Sequence, residues 1–203
     1  LALPSYYFLV KWLPASRAII VLLVFSVFPI VIEAIGISTG LPYGGFHYSD
    51  EMGFKILGLV PWSVSFAFAP LIIGSAAITN RQIEDARLAL PASALLLVMF
   101  DLILDPAAVV LNIWVWDVPG PYYGIPISNY TGWFLTGLVA AVLLHLMLME
   151  TPMRTVRLPT ETAASLLLII SFWTGFSFWT SLIVPAAIGL VMMVYLVYVI
   201  GSA

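Results

Sequence analysis

The chain has no cysteine, two histidines and few charges: Asp, Glu, Lys and Arg together make up 8% of its 203 residues. The missing cysteine rules out disulfides, thiolate nucleophiles and cysteine-held zinc or iron–sulfur centres. His47 and His145 each stand without a second histidine at ligand spacing, so no histidine-built metal site is expected. Seven basic and ten acidic residues give a net charge of −3 with no basic cluster. A nucleic-acid backbone would find no electrostatic track on such a chain. Internal repeats are also lacking, and residues 1–203 read as one domain.

What is abundant is apolar. Hydrophobic residues make up 63% of the chain and the mean hydropathy is +1.11, more than a soluble domain of this size could bury. About 20 apolar residues cross some 30 Å of hydrocarbon. On that measure spans fall near 18–37, 55–78, 88–111, 130–149, 162–179 and 182–200, the last two parted at Trp179–Thr180–Ser181. The expected fold is therefore an all-α polytopic transmembrane bundle of about six spans. Residues 1–14, with Tyr6, Tyr7, Lys11 and Trp12, read as an interfacial segment or the remnant of a truncated span. The chain starts with Leu rather than Met, so residues before it are expected.

Basic residues set the expected orientation. Lys11 and Arg17 precede the first span, Arg81 and Arg87 lie between the second and third, and Arg154 and Arg157 between the fourth and fifth. All six are then expected to face the cytoplasm, in an integral protein of the cell membrane with both observed termini inside. The opposite loops, 38–54 and 112–129, have only Lys55 at their edge and are dense in Gly, Pro and aromatic rings. Such segments are expected to fold compactly over the bundle, because irregular backbone near hydrocarbon must be covered.

Within the third span, FDLILDP (100–106) places Asp101 and Asp105 four residues apart, on one helical face. A charged side chain at the bilayer centre costs roughly 2.5–3.5 kcal/mol on insertion scales, so intramembrane acids mark function by default. Both aspartates and Glu33 fall in the outer half of their spans, beneath the aromatic loops. A structural alternative stands beside this reading: the pair could bond the backbone freed where Pro106 interrupts the helical ladder. Gly36 and Gly40 read as a small-xxx-small helix-packing pair. The Phe172–Phe176–Trp179 stripe reads as facing lipid or neighbouring helices.

Four motifs follow one another along the chain: Glu33 and Gly36 with GLPYGGFHYS (40–49), GLVPW (58–62), DLILDP (101–106) with Trp114 or Trp116 after it, and YYGIPISNYTGW (122–133). In that order they resemble the membrane-integral carotenoid biosynthesis proteins of the carotenoid 1,2-hydratase type, the bisanhydrobacterioruberin hydratase and γ-carotene hydratase family, over nearly the whole chain. The resemblance implies addition of water to the terminal double bond of an acyclic carotenoid, a lipophilic substrate able to enter laterally between helices from the bilayer.

That chemistry needs an acid, a wall that stabilises a tertiary carbocation and a metered water, and it needs no redox cofactor. Asp101, Asp105 and Glu33 are the expected catalytic residues, with Asp101, the deeper aspartate, as donor. Removal from water favours the neutral form of a carboxyl, which an alkene-protonating acid requires. His47, Tyr43, Trp62, Asn112, Trp114, Trp116, Tyr123, Asn129 and Trp133 are the expected substrate-binding residues; aromatic faces stabilise a cation by ~0.5–2 kcal/mol each. No metal is expected, and partners are limited to the substrate, lipid and further membrane proteins. Two other classes stay open here: a pigment-binding or structural subunit of a larger membrane complex, and a small proton-coupled transporter.

The charge asymmetry makes a topological prediction. Tags inserted after residue 120 should be reachable only from outside the membrane, and tags after residue 155 only from inside. The reverse pattern would move the whole acidic cluster to the other face.

Overall fold

The computed structural model describes residues 1–149 and 152–202. The helices are α1 (Leu3–Trp12), α2 (Ala15–Thr39), α3 (Val64–Gln82), α4 (Ala86–Val110), α5 (Ile127–Leu148), α6 (Ala164–Trp179) and α7 (Ile183–Gly201). Four short strands accompany them: β1 (Phe46–Tyr48), β2 (Lys55–Ile56), β3 (Val60–Pro61) and β4 (Trp114–Trp116). Among the described residues six helices are long and apolar enough to cross a membrane, α6 counted with the single turn at Thr160–Ala163 that leads into it, which makes this an all-α polytopic bundle. The long apolar stretch near the C-terminus breaks where expected, with Ser181 in the left-handed region at φ 59° between α6 and α7.

One expectation is corrected. The second span starts at Val64 rather than 55, because residues 55–61 form the antiparallel β2–β3 hairpin (Lys55 opposite Pro61, Ile56 opposite Val60). Its three-residue loop, 57–59, reverses the chain through Leu57 and Gly58, both with positive φ, 55° and 71°, and is closed by Leu59 N–H on the Ile56 carbonyl at 3.0 Å. Apolar composition hid that turn, since its first position normally carries Asn, Asp or Gly. Leucine there gives up ~1–2 kcal/mol of left-handed strain.

Residues 1–14 form α1 and the turn into α2. α1 packs into the bundle: Leu9 is fully buried, the Ser5 N–H donates to Ser165 Oγ at 2.9 Å and the Ser5 hydroxyl donates to the Thr162 carbonyl.

α3 touches every other helix, and α4 packs beside it against α5, α6 and α7. Lipid tails are as apolar as leucine, so close packing rather than water exclusion holds such helices together. Small residues supply it. A Cβ at Gly137 would lie 3.3 Å from Ala94 Cα on α4, and one at Gly74 would lie 2.9 Å from Leu166 Cβ on α6.

Gly36 and Gly40 act otherwise than as a helix-packing pair. Gly40 ends α2 in the left-handed conformation at φ 74°, its N–H bonded to the Gly36 carbonyl at 2.7 Å. Gly36 makes room for the ring of Tyr43, which is held on its other edge by Gly132 of α5; a Cβ at either glycine would come within 2.7 Å of that ring.

At the end opposite the long loops, the turn between α3 and α4 is tied to residues 153–157. Ala86 N–H bonds the Met153 carbonyl, Thr155 N–H bonds the Glu84 carbonyl, and Glu84 receives Arg154 and Arg157 at 2.9 and 2.7 Å. Arg17 caps the C-terminal carbonyls of α5 through Met147 at 2.7 Å. The six loop-proximal basic residues thus gather at one end of the bundle, away from the two long loops.

The Tyr43 socket generates a stability prediction. Gly36→Ala should lower the thermal midpoint of the purified protein by the equivalent of ~1–3 kcal/mol, the usual cost of overpacking. Gly175→Ala, where nothing lies within 4 Å of the added carbon, should leave it unchanged.

Candidate active site

The helical repeat lines up Ser93, Leu97, Asp101 and Asp105 on one buried face of α4. Pro106 has no N–H to give the carbonyl four residues back, so the Leu102 carbonyl is left without its helical partner. The hydroxyl of Tyr122 takes that place, donating to the Leu102 oxygen at 3.0 Å. Burial pushes the Tyr122 phenol up to about 12, which keeps it a donor throughout the physiological range. The proline is therefore satisfied from the loop, and the two aspartates are free of that structural duty.

Asp101, Asp105 and Glu33 all line one cavity of about 600 Å³, and each is less than a tenth exposed. Their partners differ. Asp105 Oδ2 accepts from the amide of Asn129 on α5, itself buried. Glu33 Oε2 accepts from the hydroxyl of Tyr48 at 2.5 Å. Asp101 Oδ2 is buried with no hydrogen-bond partner among the described residues. Among those residues no lysine or arginine lines the cavity, and no three acidic or histidine side chains converge closely enough to hold a metal ion. The nearest base, Lys55, is spent on the Tyr48 carbonyl at 2.8 Å and on Asp50 at 2.9 Å. Its hydrogen bond holds the exposed Asp50 carboxyl below its usual value.

Over the carboxyls lies an aromatic roof. β1 pairs antiparallel with β4, setting Phe46 opposite Trp116 and Tyr48 opposite Trp114. Side chains alternate along a strand, so these four rings share the cavity side. Phe46 meets Trp116 at 5.2 Å between centroids, and Tyr48 meets Trp114 edge-on at 6.0 Å. Tyr43, bonded to Thr136 at 2.7 Å, packs against Trp133 at 4.9 Å and carries the roof down to α5. Below the polar end the cavity runs between α3, α4 and α6 past Leu97, Phe68, Leu71, Ile169 and Trp173, with Ala2 and Tyr6 beside it. The result is an apolar shaft with a single acidic end.

Of the residues singled out from the sequence, Glu33, Tyr43, Asp101, Asp105, Trp114, Trp116, Asn129 and Trp133 line this cavity; His47, Trp62, Asn112 and Tyr123 do not. His47 is the middle residue of β1, so alternation turns it outward, toward Asp117 at 3.5 Å. Asn112 lies just past the end of α4 at φ 53°, where the Ile113 N–H reaches back to the Ala108 carbonyl at 2.9 Å. Asparagine is a helix stop there. Trp62 is half exposed against Phe66, and Tyr123 sits in a left-handed turn with its hydroxyl accepting from Val184 N–H at 3.4 Å.

Phe46, Tyr48, Tyr122 and Thr136 escaped the sequence reading. The alternation in FHY and WVW was the available signal for the first two. Tyr122 and Thr136 left no local signal, because each is defined by a partner on another element.

Residues 1–196 match the protein family described as carotenoid biosynthesis protein. Among curated proteins, the bisanhydrobacterioruberin hydratase of Haloarcula japonica is 33% identical over 131 residues, a match covering 63% of this chain and 44% of that relative. The chain thus corresponds to less than half of the relative's length. No solved structure matches the chain.

The Tyr122 contact can be tested alone. Tyr122→Phe should strip the Leu102 carbonyl of its donor and lower the thermal midpoint by the equivalent of ~1–3 kcal/mol, the cost of an unsatisfied buried polar group. An unchanged midpoint would mean that water serves the carbonyl equally well.

Proposed function

The chain belongs to the carotenoid biosynthesis protein family, and on that premise we propose that it is a carotenoid hydratase, adding water to the terminal double bond of an acyclic carotenoid end group. The observation that carries this reading is the unequal state of three carboxyls in one cavity. Asp105 and Glu33 are each engaged by a donor, whereas Asp101 Oδ2 has no partner. The relative's name adds support, as it is itself called a hydratase.

In this mechanism Asp101 is the general acid. Its carboxyl gives a proton to the less substituted carbon of the trisubstituted alkene, and the other carbon becomes a tertiary cation. The faces of Phe46, Tyr48, Trp114 and Trp116 stabilise that charge by ~0.5–2 kcal/mol each without attacking it. Water captures the cation and loses a proton to Asp105 or Glu33, which already accept hydrogen bonds at one oxygen and keep the other for this transfer. Return of the proton to Asp101 closes the cycle. The product is a tertiary alcohol, and the net change is one water added.

An apolar shaft ending in acids suits a substrate that is hydrocarbon along its length and reacts at its tip. A proton-coupled transporter is less well supported: Leu97 separates Asp101 from Ser93 on the α4 face, and no polar path continues along it. We place the acidic end in the outer half of the membrane, from the clustering of basic residues at the other end.

Expressing the chain in cells that make an acyclic carotenoid should yield a product heavier by one water. Asp101→Asn keeps the shape of a protonated aspartate but has no proton to give. It should lower hydration by at least the ~10²–10⁴-fold typical of a general acid, with the protein still folded. Near wild-type conversion by well-expressed Asp101→Asn and Asp105→Asn variants would make the carboxyls structural and favour the pigment-binding reading.

A further inference from the structure

α3 has 19 residues while its neighbour α4 has 25, and a short turn at residues 83–85 joins them. At 1.5 Å per residue, α3 therefore stops about 9 Å short of α4 at the loop end. The β2–β3 hairpin leads into α3 at that end, tied to the roof by Lys55 on the Tyr48 carbonyl at 2.8 Å and to the start of α3 by Trp62 N–H on the Phe54 carbonyl at 3.2 Å. Its outward side is apolar: Phe54 is 73% exposed and Leu57, at the tip, 79%. That surface continues without a break into the exposed Trp62 and Phe66 at the start of α3. Leu57 occupies a left-handed turn position that disfavours leucine, and nothing in the bundle packs on it in return. The side chain at the tip is thus free to meet the surroundings of the bundle.

We propose that the β2–β3 hairpin is an interfacial element, with the side chains of Phe54 and Leu57 among the upper acyl chains and its strand edges at headgroup level. Two neighbours fit that depth. Trp62 occupies the level favoured by tryptophan at membrane interfaces, and Lys55 keeps its ammonium group on Asp50 and the Tyr48 carbonyl. The backbone edges need a polar layer, because hydrocarbon would leave them unsatisfied.

The position has a functional consequence. The hairpin leads into Phe66 and Ala67, which are exposed on the outside of the bundle and line the cavity on the inside. Seated in lipid, it holds this thin wall against the leaflet and makes it the side through which an apolar ligand is admitted.

The chain has no cysteine, so single-cysteine variants can be labelled without further changes. In phosphatidylcholine nanodiscs, an environment-sensitive fluorophore at Leu57→Cys should be quenched by lipids with a nitroxide high on the acyl chain and shielded from aqueous iodide. The same label at His47→Cys, on the outward side of the roof, should show the reverse. A ratio of lipid to iodide quenching at position 57 no higher than at position 47 overturns the lipid contact.

Leu57→Asp tests the consequence. Aspartate tolerates the left-handed conformation that Leu57 holds, so the turn is kept while its tip is driven toward water. For carotenoid supplied in vesicles, KM should rise several-fold with kcat unchanged, and an unchanged KM overturns the admission role. This second arm rests on the hydratase reading, whereas the quenching arm does not. A wild-type protein without hydration activity would therefore count against that reading alone.

Discussion

Hydrocarbon offers a peptide group no hydrogen bonds, and the end of the bundle that carries the site is organised around that constraint. Wherever a helix stops or is interrupted near the carboxyls, another part of the chain completes it. Tyr122 reaches the carbonyl that Pro106 leaves open. Asn112 and Gly40 turn the ends of α4 and α2 back on themselves. Between these points the two long loops pair with each other: the β1–β4 ladder is extended by Ser49 N–H to the Ile113 carbonyl and by Asp117 N–H to the Gly45 carbonyl. A ribbon that satisfies its own backbone can lie close to the membrane, and its alternation decides which side chains look down.

From that ribbon follows the character of the cavity. The rings directed inward form a continuous apolar surface above three acids, and the socket made by Gly36 and Gly132 fixes Tyr43 and with it the height of the roof. Carboxyls gathered without a cation nearby do not resolve into ion pairs. They are distinguished by the neutral groups they meet: an amide for Asp105, a phenol for Glu33, nothing for Asp101 Oδ2. Three chemically similar groups thereby acquire different surroundings through their neighbours alone, the condition under which the proposed mechanism could draw both an acid and a base from one site.

Much of this was legible in advance, for reasons that differ from element to element. The spans were readable because crossing a bilayer imposes length and apolarity on each segment independently. The aspartates were readable because a carboxyl in such a segment is rare and costly. The second span was begun nine residues early, since composition cannot distinguish an apolar helix from an apolar hairpin: Leu57 and Gly58 reverse the chain without adding polarity. His47 and Asn112 looked like site residues because they are polar beside aromatic motifs. Strand parity turned the first outward and helix termination claimed the second.

The sequence by itself determined the number of membrane-crossing helices, the end of the bundle at which basic residues collect, and the presence of acids on one face of α4. Each is a property of a local stretch and its cost of transfer from water. The tertiary structure alone decided which loop pairs with which, that Phe46 and Tyr48 face the cavity while His47 does not, that Tyr122 answers Pro106, and that Asp101 is the carboxyl left without a partner. These depend on contacts between residues far apart in order, as between Tyr43 and Thr136, 93 positions apart. No local stretch encodes the partner that a hydrogen bond or a packed ring will find across the bundle.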